Sequence, residues 1–231
     1  MPSLCAPIQA MPSLDLQTIA IEYPDYPAGL KTCSAFKTAP ILSAIGNLSL
    51  LQTSTIALFC SKQCPDDLIL KTYDLVQALR AAGVPVISGF HSPIEQDCLK
   101  ILLQGTQAII HCPARSIHNL RFSPAQKQAV GEGRLLLISP FKASYSRATA
   151  KLAEKRNAMI GAIAHTILIA YAAPNSKTLA FAQSLIKTGK SVVTFDGEHT
   201  TGLQEQSMIG LGIDAIVQRC LASKKTSGNK R

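Results

Sequence analysis

From residue 55 onward, the chain alternates between short apolar runs rich in β-branched residues and longer amphipathic segments. Short strands that alternate with helices of about ten residues or more are typical of an α/β fold with a parallel sheet. The predicted strands cover residues 55–60, 84–88, 108–112, 134–139, 166–170, 191–195 and 215–218. The predicted helices cover residues 66–82, 93–103, 124–131, 147–162, 177–188 and 201–210.

The chain is predicted to divide into three segments. Residues 1–50 contain six prolines that break any long element, so we expect a flexible start and a lead-in that packs against the sheet. Residues 51–222 hold the predicted α/β domain. Residues 223–231 are polar and basic, which predicts a disordered tail.

The composition predicts a large hydrophobic core and a basic surface. Of the 231 residues, 47% are hydrophobic and 16% are charged, which disfavours extended disorder. The formal net charge is +9, and residues 224–231 supply four of these positive charges. A polyanionic partner and a basic surface with no dedicated partner are both consistent with this charge. Tryptophan is absent and aromatic residues make up 5%, so contacts to phosphate are favoured over stacking on bases.

The seven cysteines and the longest apolar stretch bear on the cellular compartment. The cysteines form an odd number without a pairing pattern, which predicts free thiols in a reducing environment. The start of the chain shows no basic leader typical of a secretory signal. The apolar stretch 159–174 is interrupted by His165, Thr166 and Tyr171 and is too short to span a membrane. We therefore expect a cytoplasmic protein.

Small polar residues and cations lie at or just beyond the ends of several predicted strands, and the cationic Arg156 and the amide-bearing Asn157 lie in the helix that leads into another strand. Because the carboxyl ends of parallel strands meet at one edge of a sheet, we expect these residues to converge there and to bind an anion. Ordinary helix capping is the alternative interpretation for Ser176. The candidate phosphate-binding residues are Ser61, Lys62, Ser88, Gly89, Arg156, Asn157, Ser176, Lys177 and Thr178.

Other kinds of site have weaker support in the sequence. Neither GxGxxG nor GxxxxGK[ST] occurs, which disfavours an ordinary NAD enzyme or a P-loop ATPase. No GxSxG elbow is present, and no catalytic residue is predicted. A zinc site lacks paired CxxC spacing, and buried apolar roles for the cysteines are favoured. The residues weighed for zinc are Cys60, Cys64, His91, His111 and Cys112, whereas His118, His165 and His199 are expected to be structural or surface residues.

An ordered set of fragments resembles the DprA/Smf family, the DNA processing protein A group with a Rossmann-like core. The set includes AGVPVISG at residues 82–89, LIS at 137–139 and RNAMIG at 156–161. The other fragments are residues 26–27, 40–42, 46–48, 56–62, 172–179 and 189–193. The resemblance extends from about residue 21 to about residue 212, and it implies a Rossmann-like three-layer fold with a mostly parallel sheet.

The resemblance also implies a function. Members of this family bind single-stranded DNA, assist loading of the RecA recombinase during natural transformation, and commonly form dimers. The implied protein is a homodimeric DNA-binding mediator without catalytic activity, cofactor or metal. By position, Ser61 and Lys62 correspond to the Ser-Arg of the family's Gly-Ser-Arg loop, and Ser88 and Gly89 correspond to its Ser-Gly turn. Arg156 and Asn157 correspond to the start of its Arg-Asn-Arg helix, and residues 176–179 correspond to its Ser-Gly-Ser-Leu turn.

Several positions depart from the family pattern. Cys60 replaces the first glycine of the loop, and Lys62 replaces its arginine, so that a point charge stands where the family has a bidentate fork. Ala158 replaces the second arginine of the Arg-Asn-Arg helix, and Lys177 replaces a glycine. The remaining departures are Ser92, Pro93, Glu95 and Thr106, which stand at a family arginine, glycine, aspartate and lysine.

The leading hypothesis is a protein that binds the phosphates of single-stranded DNA at the edge of the sheet. The alternative is a nucleotide-binding module or a LOG-like phosphoribohydrolase that uses the same edge. Against the hydrolase, the chain has no PGGxGT-like loop, and Glu95 and Glu154 are equally plausible as surface residues. A scaffold that contacts only protein is the third hypothesis.

Overall fold

The computed structural model describes the backbone of residues 14–228 and the side chains of residues 14–223, which form a nine-stranded sheet flanked by helices. The strands are β1 (Gln17–Ile19), β2 (Leu42–Gly46), β3 (Ile56–Cys60), β4 (Val86–Ser88), β5 (Ile109–His111), β6 (Leu135–Ser139), β7 (Thr166–Tyr171), β8 (Val192–Phe195) and β9 (Ile209–Leu211). The helices are α1 (Ala28–Lys31), α2 (Asp66–Ala81), α3 (Pro93–Leu103), α4 (Pro124–Gly131), α5 (Ala150–Ile163), α6 (Lys177–Lys187), α7 (Thr201–Gln204) and α8 (Ile213–Gly228).

The strand order shows that the main sheet is wound in two directions from its centre. The order across the sheet is β1, β2, β6, β5, β4, β3, β7, β8, β9. The seven strands from β6 to β9 in this order are parallel, whereas β2 is antiparallel to β6 and β1 is antiparallel to β2. The chain therefore winds from β3 out to β6 and returns to β7 on the other side of β3. The predicted α/β fold with a mostly parallel sheet is confirmed.

The sheet separates two hydrophobic layers. Alternate residues of β3 point to opposite faces: Ile56 and Leu58 pack with the core beneath α2, α3, α4 and α8, and Ala57 and Phe59 pack with the core beneath α1, α5 and α6. Strands that are buried on both faces read as continuous apolar runs, which is why the central strands were predictable. The result is the three-layer architecture that the resemblance implied.

Helices α3 and α4 begin and end at the predicted residues. Their N-termini are fixed by capping hydrogen bonds. Ser92 accepts a hydrogen bond from the backbone of Glu95, whose carboxylate in turn accepts one from the backbone of Ser92. Ser123 and Gln126 form the same reciprocal arrangement in α4. A proline follows each capping serine, and its fixed φ suits the first helical position.

The prediction for residues 201–218 was wrong in two places. The helix predicted at residues 201–210 ends at Gln204, and strand β9 follows it. The strand predicted at residues 215–218 lies inside α8. Ile216, Val217 and Cys220 are buried at helical spacing in the core beneath α2, so the short apolar run marks one face of a helix.

The lead-in contributes strands to the sheet, which the sequence did not predict. Strands β1 and β2 are three and five residues long, and the neighbouring prolines lie outside them. At the other end, α8 continues to Gly228, past the predicted start of the tail at residue 223. Residues 1–13 of the predicted flexible start and lead-in, and the last three residues of the predicted tail, lie outside the described residues.

Within residues 14–228, none of the helices combines the length and the apolar character needed to cross a membrane.

Substitution of Gly46 by alanine tests whether the lead-in is an integral part of the sheet. Gly46 has a φ of +111°, and a Cβ there would overlap the carbonyl oxygen of Leu135 on β6. We expect Gly46→Ala to lower the free energy of unfolding by roughly 1–3 kcal/mol in urea denaturation. The control Gly131→Ala has open space around the new methyl group at the end of α4 and should change stability little. Equal stability of both variants would show that β2 is not held against β6.

Candidate functional site

The loops that follow β3 and β7 meet at one edge of the sheet. From β3 the chain passes to α2 on one face, and from β7 it passes to α6 on the opposite face. The loops diverge and leave a crevice of about 460 Å³ at the point where the winding reverses, the usual ligand position in such sheets. Seven of the nine predicted residues line this crevice: Ser61, Lys62, Arg156, Asn157, Ser176, Lys177 and Thr178.

The two remaining predicted residues, Ser88 and Gly89, have supporting positions. Ser88 is fully buried, and its hydroxyl donates to the carbonyl oxygen of Leu58 at 2.8 Å and accepts from the amide of Phe90 at 3.4 Å. Gly89 packs directly on the guanidinium of Arg156, so that a Cβ would overlap it. The hydroxyl of Ser88 is thus occupied in a turn that positions Gly89, and Ser88 does not line the crevice.

Ser61 joins the two loops at the base of the crevice. Its amide donates to the carbonyl oxygen of Tyr171 at 3.0 Å, and its hydroxyl accepts from the amide of Ala173 at 3.4 Å. The residue is 7% exposed. Ser61 thus fixes the loop after β3 against the end of β7 and places the next residue, Lys62, in solvent beside the crevice.

The lysines at the crevice differ in their electrostatic surroundings. Lys62 is exposed and has no ion pair among the described residues. Lys177 donates to the carboxylate of Glu154 at 2.7 Å, in a pair whose side chains are 76% and 57% exposed. Exposed pairs of this kind are held together weakly, so an incoming anion can compete for Lys177. Of the two lysines at the crevice, Lys62 is the one without an ion pair among the described residues.

Arg156 lies beneath the surface of the crevice and is 5% exposed. Its Nη1 donates to the carbonyl oxygen of Cys112 at 3.2 Å, and its Nε donates to Oδ1 of Asn157 at 2.7 Å. Burial lowers its pKa, and the nearby carboxylate of Glu95 acts in the opposite direction. No acid lies within ion-pair distance of it among the described residues. Arg156 therefore places a fixed positive charge beneath the crevice, and its side chain does not extend into solvent.

The N-terminus of α6 forms the opposite wall of the crevice. The hydroxyl of Ser176 accepts from the amide of Leu179 at 3.1 Å and caps the helix. Capping by Ser176 is thus observed, as the alternative interpretation of this residue expected. Thr178 lines the crevice, and the first amides of a helix have no partner within it. A phosphate oxygen at this wall would meet these amides and the positive end of the helix dipole.

A further set of cations extends the basic surface beyond the predicted site. A cavity of about 420 Å³ shares His91 with the crevice, and a second cavity, of about 430 Å³, shares Ser146 and Arg147 with the first. Their walls carry Arg115, Arg147, Lys151 and Lys155. Within residues 14–223 these four cations have no ion pair. The sequence signal for two of them was the spacing of four residues between Lys151 and Lys155, which places both on one face of α5, whereas Arg147 lies in the loop before this helix.

The histidines and cysteines of the proposed zinc alternative do not form a ligand set. Among residues 14–228, no group of three or more potential ligands is arranged to hold a metal ion. The Nδ1 atom of His111 is buried without a partner, and burial and then the charge of Arg156 lower the pKa of this imidazole to about 4. His111 is therefore neutral at pH 7 and adds no charge. The six described cysteines are free thiols, as predicted.

The two carboxylates considered for hydrolysis have other partners. Glu95 is buried, and its Oε2 accepts from the amides of His91 at 2.8 Å and Ser92 at 3.4 Å at the start of α3. Glu154 pairs with Lys177. Helix capping and ion pairing account for both residues.

Comparison with known proteins identifies a family. The model of the DNA recombination-mediator protein A family matches residues 17–218 of this chain. No curated protein matches the sequence.

Solved structures show the same fold at low sequence identity. DNA processing protein A from Helicobacter pylori, for which a single-stranded DNA binding mode is described, is 17% identical with a TM-score of 0.72, covering 91% of this chain and 98% of its own. The Streptococcus pneumoniae protein is 20% identical with a TM-score of 0.66, covering 88% of this chain and 69% of its own. A molybdenum cofactor binding protein from Rippkaea orientalis is 13% identical with a TM-score of 0.50, covering 74% of this chain and 96% of its own.

The contact between Gly89 and Arg156 predicts a specific energetic coupling. Gly89→Ala should displace the buried guanidinium and lower the free energy of unfolding by roughly 1–3 kcal/mol in urea denaturation. In an Arg156→Met background the new methyl group no longer meets a guanidinium, so the loss should be smaller. Gly202→Ala, which has open space, is the control. The same loss in both backgrounds would mean that Gly89 and Arg156 do not interact.

Proposed function

Because this chain belongs to the DNA recombination-mediator protein A family, we propose that it binds single-stranded DNA and acts in DNA processing without catalysing a reaction. The bound groups are the phosphates of the strand, held at the crevice between the loops after β3 and β7. The likeness to the H. pylori protein, which binds single-stranded DNA, supports the nature of the ligand. The position of the crevice, where the direction of winding reverses, supports the place.

One observation carries the proposal. Lys62, Arg115, Arg147 and Lys151 border a series of adjoining cavities, and no acid of the described residues pairs with any of them. Cations held apart from acids along a groove are suited to successive phosphates of a flexible chain. A single small anion would need only one part of this surface.

The buried Arg156 and the exposed cations have different roles in the proposed site. Arg156 is fixed by hydrogen bonds, so it raises the potential of the crevice without a loss of side-chain freedom on binding. Lys62 and Lys151 are point charges on flexible stems, which bind phosphate without the planar geometry of an arginine fork. Tyr145, 47% exposed in the cavity that Arg147 and Lys151 line, offers one ring on which a base can stack. We expect binding with little sequence preference.

The proposal extends to three finer points that rest on the family alone. They are a role in natural transformation through loading of the RecA recombinase, formation of a homodimer, and a cytoplasmic location. Light scattering of the purified protein and pull-down with purified RecA test two of them directly.

No specific observation favours the nucleotide-binding or LOG-like alternative. The matched family is one of recombination mediators, and Glu95 and Glu154 are engaged elsewhere. A thermal-shift comparison separates the ligands, since stabilisation by a mononucleotide with none by an oligonucleotide would favour the alternative.

Fluorescence anisotropy with a labelled oligothymidine tests the proposed DNA contacts. Lys62→Ala and Lys151→Ala should each weaken binding by about fivefold at low salt, which corresponds to the loss of one charged contact. Each should also reduce the slope of log affinity against log salt by about 0.7. Lys187→Ala is the matched control, because Lys187 is exposed at the other end of α6 from Lys177.

Comparison of the three substitutions decides whether DNA binds at a specific surface or is attracted by the net positive charge of the protein. Equal weakening by all three substitutions would reduce the effect to net charge, and absence of binding at low salt would refute the proposal.

Glu154→Gln should strengthen binding by about twofold to fivefold at low salt. The substitution removes the carboxylate that holds Lys177 and deletes a negative charge at the crevice. Glu132→Gln removes an acid of the same type at the end of α4 and should leave the affinity nearly unchanged. An affinity of Glu154→Gln no higher than that of the wild type in the same anisotropy titration would place the DNA away from Lys177.

A further inference from the structure

The cavity of about 420 Å³ that shares His91 with the crevice lies at the carboxyl ends of β4 and β5, and we call it the β4–β5 cavity. These strands are parallel neighbours, and their last residues, Ser88 and His111, are partners in register. The segments that follow both strands line the cavity together with residues 146–148, which precede α5. A strand held by its phosphates at the crevice can therefore place a base in this neighbouring cavity.

The floor of the β4–β5 cavity is apolar and partly aromatic. Pro113 and Ala114 are buried there, and Phe90 is 4% exposed. The ring of Phe90 meets the imidazole of His111 edge to face, with 5.4 Å between the ring centroids and 80° between the planes. This imidazole is neutral at pH 7, because burial and then the charge of Arg156 lower its pKa to about 4. A flat, uncharged group is suited to such a floor, whereas a phosphate would lose hydration there without compensation.

Phe90 is held in a backbone conformation that bulky residues rarely adopt. Its φ is +44°, in the left-handed region. The amide of Phe90 donates to the hydroxyl of Ser88 at 3.4 Å, and that hydroxyl donates to the carbonyl oxygen of Leu58 at 2.8 Å. Backbone strain of this kind is concentrated at binding sites, where the surrounding structure maintains it. The strained turn thus supports a binding role for the cavity beside it.

Hydrogen-bond donors dominate the rim of the β4–β5 cavity. Arg115 and Arg147 are exposed there, and neither has an ion pair within residues 14–223. The carbonyl oxygen of Arg115 accepts from the hydroxyl of Ser139 at 2.8 Å, so the main chain that carries this guanidinium is fixed. None of the residues that line the cavity carries a carboxylate or a side-chain amide. A ligand edge that offers acceptors is therefore favoured over one that offers donors.

We propose that the β4–β5 cavity binds one base of the single strand and prefers guanine, which the guanidinium of Arg115 recognises. This step rests on the proposed function, because the phosphates at the crevice bring the base to the cavity. Guanine carries two acceptors, O6 and N7, on one edge, and they match the paired donors of an arginine. Adenine replaces one of these acceptors by an amino donor, cytosine presents an amino donor, and thymine presents one acceptor beside a methyl group.

Arg115 is better placed for this role than Arg147. Arg147 also lines the cavity that carries Lys151 and Lys155, so it lies on the proposed path of the phosphates. Arg115 lines the β4–β5 cavity and neither of the cavities on its two sides. A volume of about 420 Å³ is small for a ligand pocket and suits one base with its sugar better than a stack of bases. The preference is therefore confined to one position of the strand, and the phosphate contacts elsewhere do not read the sequence.

Fluorescence anisotropy with short labelled strands tests the preference. The strands are an oligothymidine and variants of it in which the central base is guanine, adenine or 7-deazaguanine. The guanine strand should bind about fivefold more tightly than the adenine strand, which corresponds to one favourable contact between arginine and guanine. 7-Deazaguanine keeps O6 but lacks the N7 acceptor, so its strand should bind with about the affinity of oligothymidine.

A substitution of Arg115 separates base recognition from charge. Arg115→Lys retains the positive charge but lacks the planar fork, so the preference for guanine should be lost while the affinity for oligothymidine stays within about twofold of the wild type. Lys151→Ala is the matched control, because Lys151 lines the adjoining cavity and not the β4–β5 cavity. It should weaken the binding of every strand and retain the preference for guanine.

Equal affinity of the wild type for the guanine and adenine strands would overturn this inference and leave the proposed function intact. So would a preference for guanine that persists in Arg115→Lys or that 7-deazaguanine retains in full. Absence of binding by every strand at low salt would overturn the proposed function together with this inference.

Discussion

The parallel pairing of β3 with β7 is the constraint on which the site depends. Strands that are adjacent in space but far apart in the sequence send their helices to opposite faces of the sheet, and the space between the departing loops becomes a crevice. The bonds of Ser61 to Tyr171 and Ala173 hold the two loops in register. Residues around positions 61, 156 and 177 therefore line one crevice, although they are far apart in the sequence.

The charge at this place is built in two parts. A buried guanidinium is costly to desolvate, and Arg156 is kept by hydrogen bonds to Cys112 and Asn157 and by the absence of a side chain at Gly89. The flexible part consists of exposed lysines and arginines that surround it. By the resemblance, Lys62 corresponds to an arginine of the family, which implies a charge of the same sign with a different geometry.

The sequence predicted those features that arise from local signals or from a general rule of parallel sheets. The bounds of α3 and α4 were predicted, and the structure shows a capping serine at the N-terminus of each helix. The convergence of Lys62 with Lys177 was predicted from the common edge of parallel strands. The burial of Arg156 depends on packing against Gly89, and the short strands of the lead-in depend on pairing with β6; neither leaves a local pattern. The apolar run at Ile216 fits a short strand and one helical face equally well, and tertiary packing decides for the helix.

A crystal structure of the protein with a short oligothymidine tests the account most directly. The account predicts phosphate oxygens within hydrogen-bond distance of Lys62, with the strand continuing past Arg147 towards Lys151 and Arg156 remaining buried under Gly89. A strand bound at the opposite edge of the sheet, near Lys187 and Lys190, with the crevice empty, would contradict it.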